Sequence, residues 1–419
     1  MAKQLSIFDE NERTEYDSDY ENMSSADIND IVSYYNKINL DKSHFISNDD
    51  ICTPMECVKL MIDYIPKEFW DKKKLRILDP CCGNGNFGAY VKFKTSLKNI
   101  WFNDLNKQRL ANCKKILKPD NITNENALEI QSFNSWDLIM ANPPYSGGGN
   151  KNRSLSNMFI EHSIDLLKKG GYLCFVTPNN WMTYNNDNKT LKKLLSEGSF
   201  VVIDNDVKKY FTGVGSSFTV IIWQKGVFNN LTYVKNNYLI KDEQFDVEIP
   251  KSLQFIPLYI SQNILNIISK SIQKTNNKFT YRCDLHNFTK KHLLSDNKDE
   301  TYKYETIHTA RKTRYATIKQ DIYDKWIIII PLSTYYIPYI KTKVNTTQSV
   351  GYFEFNNEDD AKKYMDIIKH PCFKTIIHLT RYGNFNNIMV LKHLKFDSII
   401  NLNEDELNEI DKLIKKIKY

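Results

Sequence analysis

The sequence predicts an α/β domain followed by an α+β domain. Short apolar runs alternate with helical stretches as far as about residue 225, and a glycine-rich turn joins the first run to the helix after it. Beyond Lys225 the alternation stops, and aromatic residues mix with Lys, Arg and other polar residues. We therefore expect a polar N-terminal tail with one helix (1–42), an α/β domain (43–225) and an α+β domain (226–419).

The composition is that of a globular protein, with 41% hydrophobic and 26% charged residues. The net charge of +7 is compatible with a polyanionic partner, but many proteins have a similar charge. No apolar run approaches the 18 or so residues of a membrane span, and the amino terminus does not resemble a signal peptide. We expect a cytoplasmic protein that does not bind membranes.

The eight cysteines lack paired C-x-x-C spacing, and the eight histidines are scattered. This pattern predicts reduced thiols and no bound metal, rather than a zinc site or a disulfide framework.

The N-terminal tail contains the segment Gln4-Leu5-Ser6-Ile7-Phe8. It resembles the short motif by which bacterial replication and repair proteins bind the sliding clamp. A five-residue match in a polar tail also arises by chance. The segment is therefore either a clamp-binding motif or part of a plain tail.

A helix is predicted to begin after Thr53-Pro54 and to continue to Ile65. Thr53 suits the N-cap, and Pro54 suits the first helical position. Taken alone, these two residues indicate only a helix start.

The glycine-rich turn is Asp79-Pro80-Cys81-Cys82-Gly83-Asn84-Gly85-Asn86-Phe87, between a strand at 75–78 and a helix. Such a turn lets the backbone approach a ligand closely. No Gly-Lys-Ser/Thr follows, which argues against a phosphate-binding P-loop.

An acidic residue ends the next predicted strand, 99–102. Asp104 lies 19 residues after Gly85, the spacing at which dinucleotide-binding folds place the carboxylate that binds ribose hydroxyls. The alternative is a solvated aspartate at a strand end.

The segment Asn142-Pro143-Pro144-Tyr145 follows an apolar run, 137–141, that predicts a buried strand. The two prolines end this strand, at the edge where open α/β sheets bind ligands. The Asn142 amide oxygen and the Pro143 carbonyl could both accept hydrogen bonds from one exocyclic amino group, and Tyr145 could stack on a planar base. The alternative is a proline turn with a half-exposed tyrosine.

Together, Asp-Pro-x-x-Gly-x-Gly-x-Phe, Asn-Pro-Pro-Tyr and their order resemble the gamma group of adenine-N6 DNA methyltransferases, found in restriction–modification systems and as solitary enzymes. The resemblance is specific over about residues 45–225. It implies a Rossmann-like domain that binds S-adenosylmethionine (SAM), and a C-terminal DNA target recognition domain. It also implies transfer of a methyl group to a flipped-out adenine without a covalent intermediate.

The resemblance assigns roles to individual residues. Asp79 would hold the SAM ammonium, Asp104 the ribose, and Asn126 the adenine amino group, where the family often has an acidic residue. Asn142, Pro143 and Tyr145 would hold the target adenine, and Phe211 would stack on its other face. The remaining SAM-binding residues would be Thr53, Pro54, Cys81, Gly83, Gly85 and Phe87.

The expected macromolecular partner is double-stranded DNA. The basic loop 146–156 provides Lys151 and Arg153, and the C-terminal region provides Arg311, Arg314, Arg381 and Asn384. Two other readings remain open: an RNA or protein-glutamine N-methyltransferase with the same Asn-Pro-Pro-Tyr chemistry, and an inactive DNA-binding subunit that keeps the fold.

Overall fold

The computed structural model describes residues 26–40, 51–145, 154–185, 188–211, 217–228, 231–333 and 335–417. The chain divides into two compact units. The first contains the described residues up to 181 together with 189–235. The second contains those of 182–188 and those from 236 onwards.

The first unit is built on a mixed sheet. Its strands are β1 (Ile77–Asp79), β2 (Ile100–Asn103), β3 (Asn121–Thr123), β4 (Trp136–Ala141), β5 (Leu167–Pro178), β6 (Gly198–Asp204), β7 (Phe218–Lys225) and β8 (Thr232–Asn236). They lie in the order β3-β2-β1-β4-β5-β7-β6-β8. The strands from β3 to β5 are parallel, whereas β7 is antiparallel to both β5 and β6.

The strand order creates a ligand-binding edge. From β1 the chain moves outwards to β2 and β3, then returns to the opposite side of β1 as β4. Such a switch point opens a crevice at the carboxyl ends of the strands, where open α/β sheets bind ligands. The residues that follow β1, β2 and β4 are therefore brought together, although they are far apart in sequence.

Helices cover the sheet. They are α1 (Ile28–Ile38), α2 (Met55–Asp63), α3 (Lys67–Trp70), α4 (Asn86–Val91), α5 (Lys107–Leu117), α6 (Leu155–Leu166) and α7 (Lys189–Glu197). The helix predicted within the N-terminal tail is α1, and it packs into the core of this unit. Its Tyr35 is fully buried and donates a hydrogen bond to the carbonyl of Asn84 in the glycine-rich turn (3.1 Å).

The first unit extends beyond residue 225, where the sequence prediction placed a boundary. Strand β8 pairs in parallel with β6, with Ile203 opposite Val234. The segment alternates buried and half-buried residues, so only its pairing with β6 marks it as part of this sheet.

The second unit has its own strands and helices. The strands are β9 (Glu243–Val247), β10 (Thr280–Tyr281), β11 (Leu294–Ser295), β12 (Tyr304–Ile307), β13 (Thr313–Ala316), β14 (Trp326–Pro331), β15 (Tyr339–Thr342), β16 (Asn345–Thr346) and β17 (Val350–Phe355). The helices are α8 (Gln262–Ser271), α9 (Glu358–Ile368), α10 (Pro371–Leu379), α11 (Ile388–His393) and α12 (Glu404–Ile414). The strands form two four-stranded sheets, β10-β17-β14-β15 and β11-β13-β12-β16. Together with the helices, they give this unit an α+β structure. Across the described residues, every helix is too short or too polar to cross a membrane.

Candidate active site

A cavity of about 530 Å³ opens at the carboxyl ends of β1, β2 and β4. The sequence-predicted residues in its wall are Thr53, Cys81, Phe87, Asp104, Asn126, Asn142, Pro143 and Tyr145. Asp79, Gly83 and Gly85 belong to the same turn as Cys81 and Cys82, which line the cavity. Most of the predicted site residues therefore lie around one cavity.

The glycine-rich turn forms one wall and requires glycine at two positions. Gly83 and Gly85 have φ angles of +54° and +89°, values that residues with a Cβ rarely adopt. A Cβ on Gly85 would also lie 2.8 Å from the Cys113 sulfur of α5. These glycines allow the turn to pack closely on α5 and still present its backbone to the cavity.

Asp79 is a buried carboxylate without a hydrogen bond of ordinary geometry among the described residues. Its burial raises its pKa well above the usual value, and the negative charge of Asp104 raises it further. The Cys81 backbone N–H and the Arg109 charge offset this only in part. A buried acid of this kind suits a cationic ligand group, such as the ammonium of SAM.

Asp104 is held in place by the backbone. Its two carboxylate oxygens accept hydrogen bonds from the N–H groups of Gly83 and Asn106, both at 2.7 Å. Asp104 lines the cavity, and a carboxylate oxygen is able to accept more than one hydrogen bond. The arrangement is suitable for two ribose hydroxyls.

Thr53 lies in the cavity wall, but it does not cap α2 as the sequence predicted. Pro54 occupies the N-cap position, and no side chain caps the helix. Pro54 has extended backbone angles there, so Thr53 falls one residue before the cap. The Thr53 carbonyl instead accepts a hydrogen bond from the Asn86 side chain (2.8 Å), which joins this segment to the glycine-rich turn.

Asn126 lines the cavity, but its amide makes local hydrogen bonds to one backbone group and one side chain. Its oxygen accepts a hydrogen bond from the Leu128 N–H (3.2 Å), and its nitrogen donates one to Glu129 (2.8 Å). This caps the short helical turn Ala127–Glu129. Glu125, which the sequence analysis did not select, also lines the cavity and is a second acceptor candidate for the adenine amino group.

The side-chain amide of Asn142 is oriented by two hydrogen bonds. Its nitrogen donates to the carbonyl of Ile51 (3.0 Å), and its oxygen accepts from the Tyr145 hydroxyl (2.7 Å). Because the nitrogen is committed to Ile51, the oxygen is the atom presented beside Tyr145. The carbonyl of Asn142 accepts a weak hydrogen bond from the thiol of Cys81 (3.6 Å), which links the two walls.

Phe211 does not line this cavity, contrary to the predicted role. It is 2% exposed, and its ring stacks on Phe218 with centroids 4.7 Å apart. Phe218 in turn packs against Tyr145, at 5.2 Å. Phe211 therefore lies one ring away from Tyr145, because the apolar start of β7 lies between them.

Arg109 lines the cavity and was missed by the sequence analysis. It lies in the first turn of α5, five residues after Asp104. No local motif contains it, so the sequence signal is only a cation in the helix that follows Asp104, the predicted ribose-binding residue.

The predicted DNA contacts lie in different environments. Lys151 and Arg153 are outside the described residues, as is the Gln4–Phe8 segment. Arg311 and Asn384 are exposed. Arg381 is half-buried, and its guanidinium donates to the Asn384 carbonyl (2.6 Å) and packs on the Tyr335 ring.

Arg314 is not available for base reading, which corrects the prediction. Its side chain is 10% exposed and forms an ion pair with Asp296 (2.8 Å). It also donates hydrogen bonds to the Asn287 side chain and to the Leu294 carbonyl. These contacts secure β13 to its neighbours within the second unit.

Several known proteins are similar to this chain. Residues 21–211 match the model of the Eco57I restriction-modification methylases. The Type II methyltransferase M.HincII of Haemophilus influenzae is 28% identical over 269 residues, covering 58% of this chain and 51% of the relative. A ribosomal RNA small subunit methyltransferase C of Psychromonas ingrahamii is 28% identical over 130 residues, covering 30% and 36%.

The chain thus spans about half the length of the curated relative M.HincII, and less of the second relative. Among solved structures, a DrdV–DNA complex resembles the chain in fold, with a TM-score of 0.50 and 11% identity, over 84% of this chain and 55% of the other. The predicted fold class, a Rossmann-like methyltransferase fold, is confirmed.

Proposed function

We propose that this chain, in which a restriction-modification methylase domain is followed by an α+β unit, is a site-specific DNA methyltransferase. It transfers the methyl group of SAM to N6 of an adenine within a short DNA sequence. The single observation that carries the proposal is the amide of Asn142, whose oxygen is oriented in the wall of the SAM cavity.

The proposed chemistry is alignment rather than covalent catalysis. SAM supplies an electrophilic methyl group. The Asn142 oxygen and the Pro143 carbonyl accept the two hydrogens of the adenine amino group, which localises the nitrogen lone pair towards the methyl. Tyr145 stacks on the base, and the strand end fixes the distance between the reacting atoms. Cys81 is not expected to act as a nucleophile, because burial and neighbouring carboxylates raise the pKa of its thiol.

The target adenine has to leave the duplex to reach such a cavity, so the proposed mechanism includes base flipping. The assignment to the gamma group rests on the order of motifs, with the SAM-binding turn before Asn-Pro-Pro-Tyr and the recognition unit last. For Phe211 to stack on the second face of the base, its ring would have to leave Phe218.

We propose that the second unit recognises the DNA target. Its exposed candidates are Arg311, in the turn between β12 and β13, and Asn384, whose loop is supported by Arg381. Lys151 and Arg153 remain predicted phosphate contacts. Action on DNA implies a location in the compartment that holds it, which is the cytoplasm of a bacterium or the DNA-containing compartment of a viral host.

Replacing Arg311 and Arg314 separately is expected to distinguish a DNA contact from a structural one. Arg311→Ala should weaken DNA binding and lower the slope of log affinity against log salt by about one, with an unchanged melting temperature. Arg314→Ala should lower the melting temperature by several degrees, because it removes an ion pair and two hydrogen bonds. Salt-titrated DNA binding and thermal melts provide both readouts, and equal melting temperatures for the two variants would contradict this distinction.

The second candidate function is methylation of RNA or of a protein glutamine. It is supported by the similarity to the ribosomal RNA methyltransferase, which covers 30% of this chain. The DNA reading is favoured because the Type II relative matches 58% of the chain and the family model is that of restriction-modification methylases.

Transfer of radiolabelled methyl groups from SAM tests the acceptor class directly. Equal amounts of unmethylated duplex DNA, ribosomal RNA and an unmodified protein extract serve as acceptors. The proposal predicts label in DNA at a rate far above the other two. Label mainly in RNA or protein would overturn it in favour of the second candidate.

Binding of the sliding clamp through Gln4-Leu5-Ser6-Ile7-Phe8 remains a prediction from the sequence. Its partner would be recognised through the apolar residues Leu5, Ile7 and Phe8, and the segment lies outside the described residues.

A further inference from the structure

We infer that Arg109 is the residue that binds the carboxylate of the methionine part of SAM. The inference concerns the cofactor alone and holds whatever the methyl acceptor is. It starts from the position of the guanidinium, which lies against the glycine-rich turn: a Cβ on Gly83 would collide with it. Its Nη2 atom also contacts the sulfur of Cys52 (3.5 Å), another residue of the cavity wall.

The helix directs Arg109 to this position. Asn106 caps α5, with its side chain accepting hydrogen bonds from the N–H groups of Gln108 and Arg109. The cap orients the first turn of α5 next to Asp104, whose carboxylate accepts from the Asn106 N–H. Side chains in a helix lean towards its N-terminus, so Arg109 leans back over the glycine-rich turn.

The cavity has more acidic than basic residues in the described part of its wall. Among the described residues that line it, Arg109 is the only lysine or arginine, whereas Asp104 and Glu125 are acidic and Asp79 lies buried behind the wall. The positive charge of Arg109 acts on Asp79 and partly offsets the cost of burying that carboxylate. Among the described residues of the cavity wall, Arg109 is thus the cation that can pair with the amino acid part of SAM.

The amino acid part of SAM carries one ammonium and one carboxylate. Asp79 suits the ammonium, and the carboxylate then needs donors and positive charge. A guanidinium offers two parallel N–H groups that match a carboxylate. With SAM bound, Asp79 would pair with the ammonium, and the guanidinium of Arg109 would donate hydrogen bonds to the carboxylate. Each charge of the amino acid part then has an oppositely charged partner, which favours SAM over analogues that lack either charge.

The competing explanation is that Arg109 only stabilises the conformation of the glycine-rich turn. The two explanations differ in one respect. A bracing residue affects all ligands of the cavity alike, whereas a carboxylate-binding residue affects only those that carry a carboxylate.

Isothermal titration of the full chain with SAM and with decarboxylated SAM separates them. We expect Arg109→Gln to weaken SAM binding by about 10–100-fold and to change the affinity for decarboxylated SAM by less than about threefold. Arg109→Lys should recover part of the SAM affinity, since it restores the charge without the planar fork.

Lys107→Gln is the matched control, because it removes a positive charge from an exposed position two residues earlier in the same helix. It should leave both affinities unchanged. Equal weakening of both ligands by Arg109→Gln, or no weakening of SAM, would overturn the inference. Because no acceptor is present, the result does not depend on whether DNA is the substrate.

Discussion

Asn142→Ala is expected to lower the rate of methyl transfer by about 10²–10³-fold and to leave the affinity for SAM nearly unchanged. The variant removes the proposed acceptor of the amino group, and aligned polar groups of this kind contribute about that factor in other active sites. Single-turnover methyl transfer gives the rate, and titration with SAM gives the affinity. The contact made through the Asn142 backbone carbonyl is retained in the variant.

Asn142→Asp provides the matched control, since it keeps the shape and an acceptor oxygen. It loses the donor to the Ile51 carbonyl that orients the amide, and it adds a charge next to the Tyr145 hydroxyl. Its rate should also fall, which would show that orientation matters as well as the oxygen. An Asn142→Ala variant that keeps more than about a tenth of the rate would contradict the assigned role.

Asp79→Asn is expected to have two opposite effects. It should weaken SAM binding by about 10–100-fold, because the ammonium loses its charged partner. It should also raise the melting temperature of the cofactor-free protein, because it removes a buried carboxylate that has no ordinary hydrogen bond among the described residues. Titration calorimetry and thermal melts measure the two effects. Asp120→Asn, at an exposed position, should change neither.

The pH dependence follows from the direction of the Asp79 shift. Burial raises its pKa in the folded protein above the value in the unfolded chain, so the folded state holds a proton that the unfolded state releases. The stability of the cofactor-free protein therefore falls as the pH rises from about 4 towards the raised pKa. The ammonium of SAM favours the ionised form, so SAM affinity should rise over the same window. Asp79→Asn should flatten both slopes, and steep slopes in that variant would exclude Asp79 as their source.

The parts of the site that the sequence predicted are those that depend on local backbone geometry. The glycine-rich turn needs positive φ angles, and Asp104 and Asn142 each follow a buried strand. Because parallel strands have their carboxyl ends at the same edge of the sheet, these residues are expected to lie close together. The positions of these residues in the cavity wall could therefore be predicted before any contact was known.

The sequence predictions were wrong where contacts between residues far apart in sequence determine the position of a side chain. Arg314 was predicted as a DNA contact because nothing local reveals its ion pair with Asp296. Phe211 was predicted at the base, but β7 places Phe218 between it and Tyr145. Arg109 was missed because its approach to Gly83 depends on how α5 packs against the turn. Each error concerns where a side chain points after packing.

Modification-sensitive single-molecule sequencing tests the central claim most directly. Unmethylated plasmid and genomic DNA are incubated with SAM and either the wild-type chain or Asn142→Ala. The account predicts N6-methyladenine within one short sequence context for the wild-type chain, and its loss with the variant. DNA without methylated adenine, from a chain that still binds SAM, would contradict the account and point to RNA or protein as the acceptor.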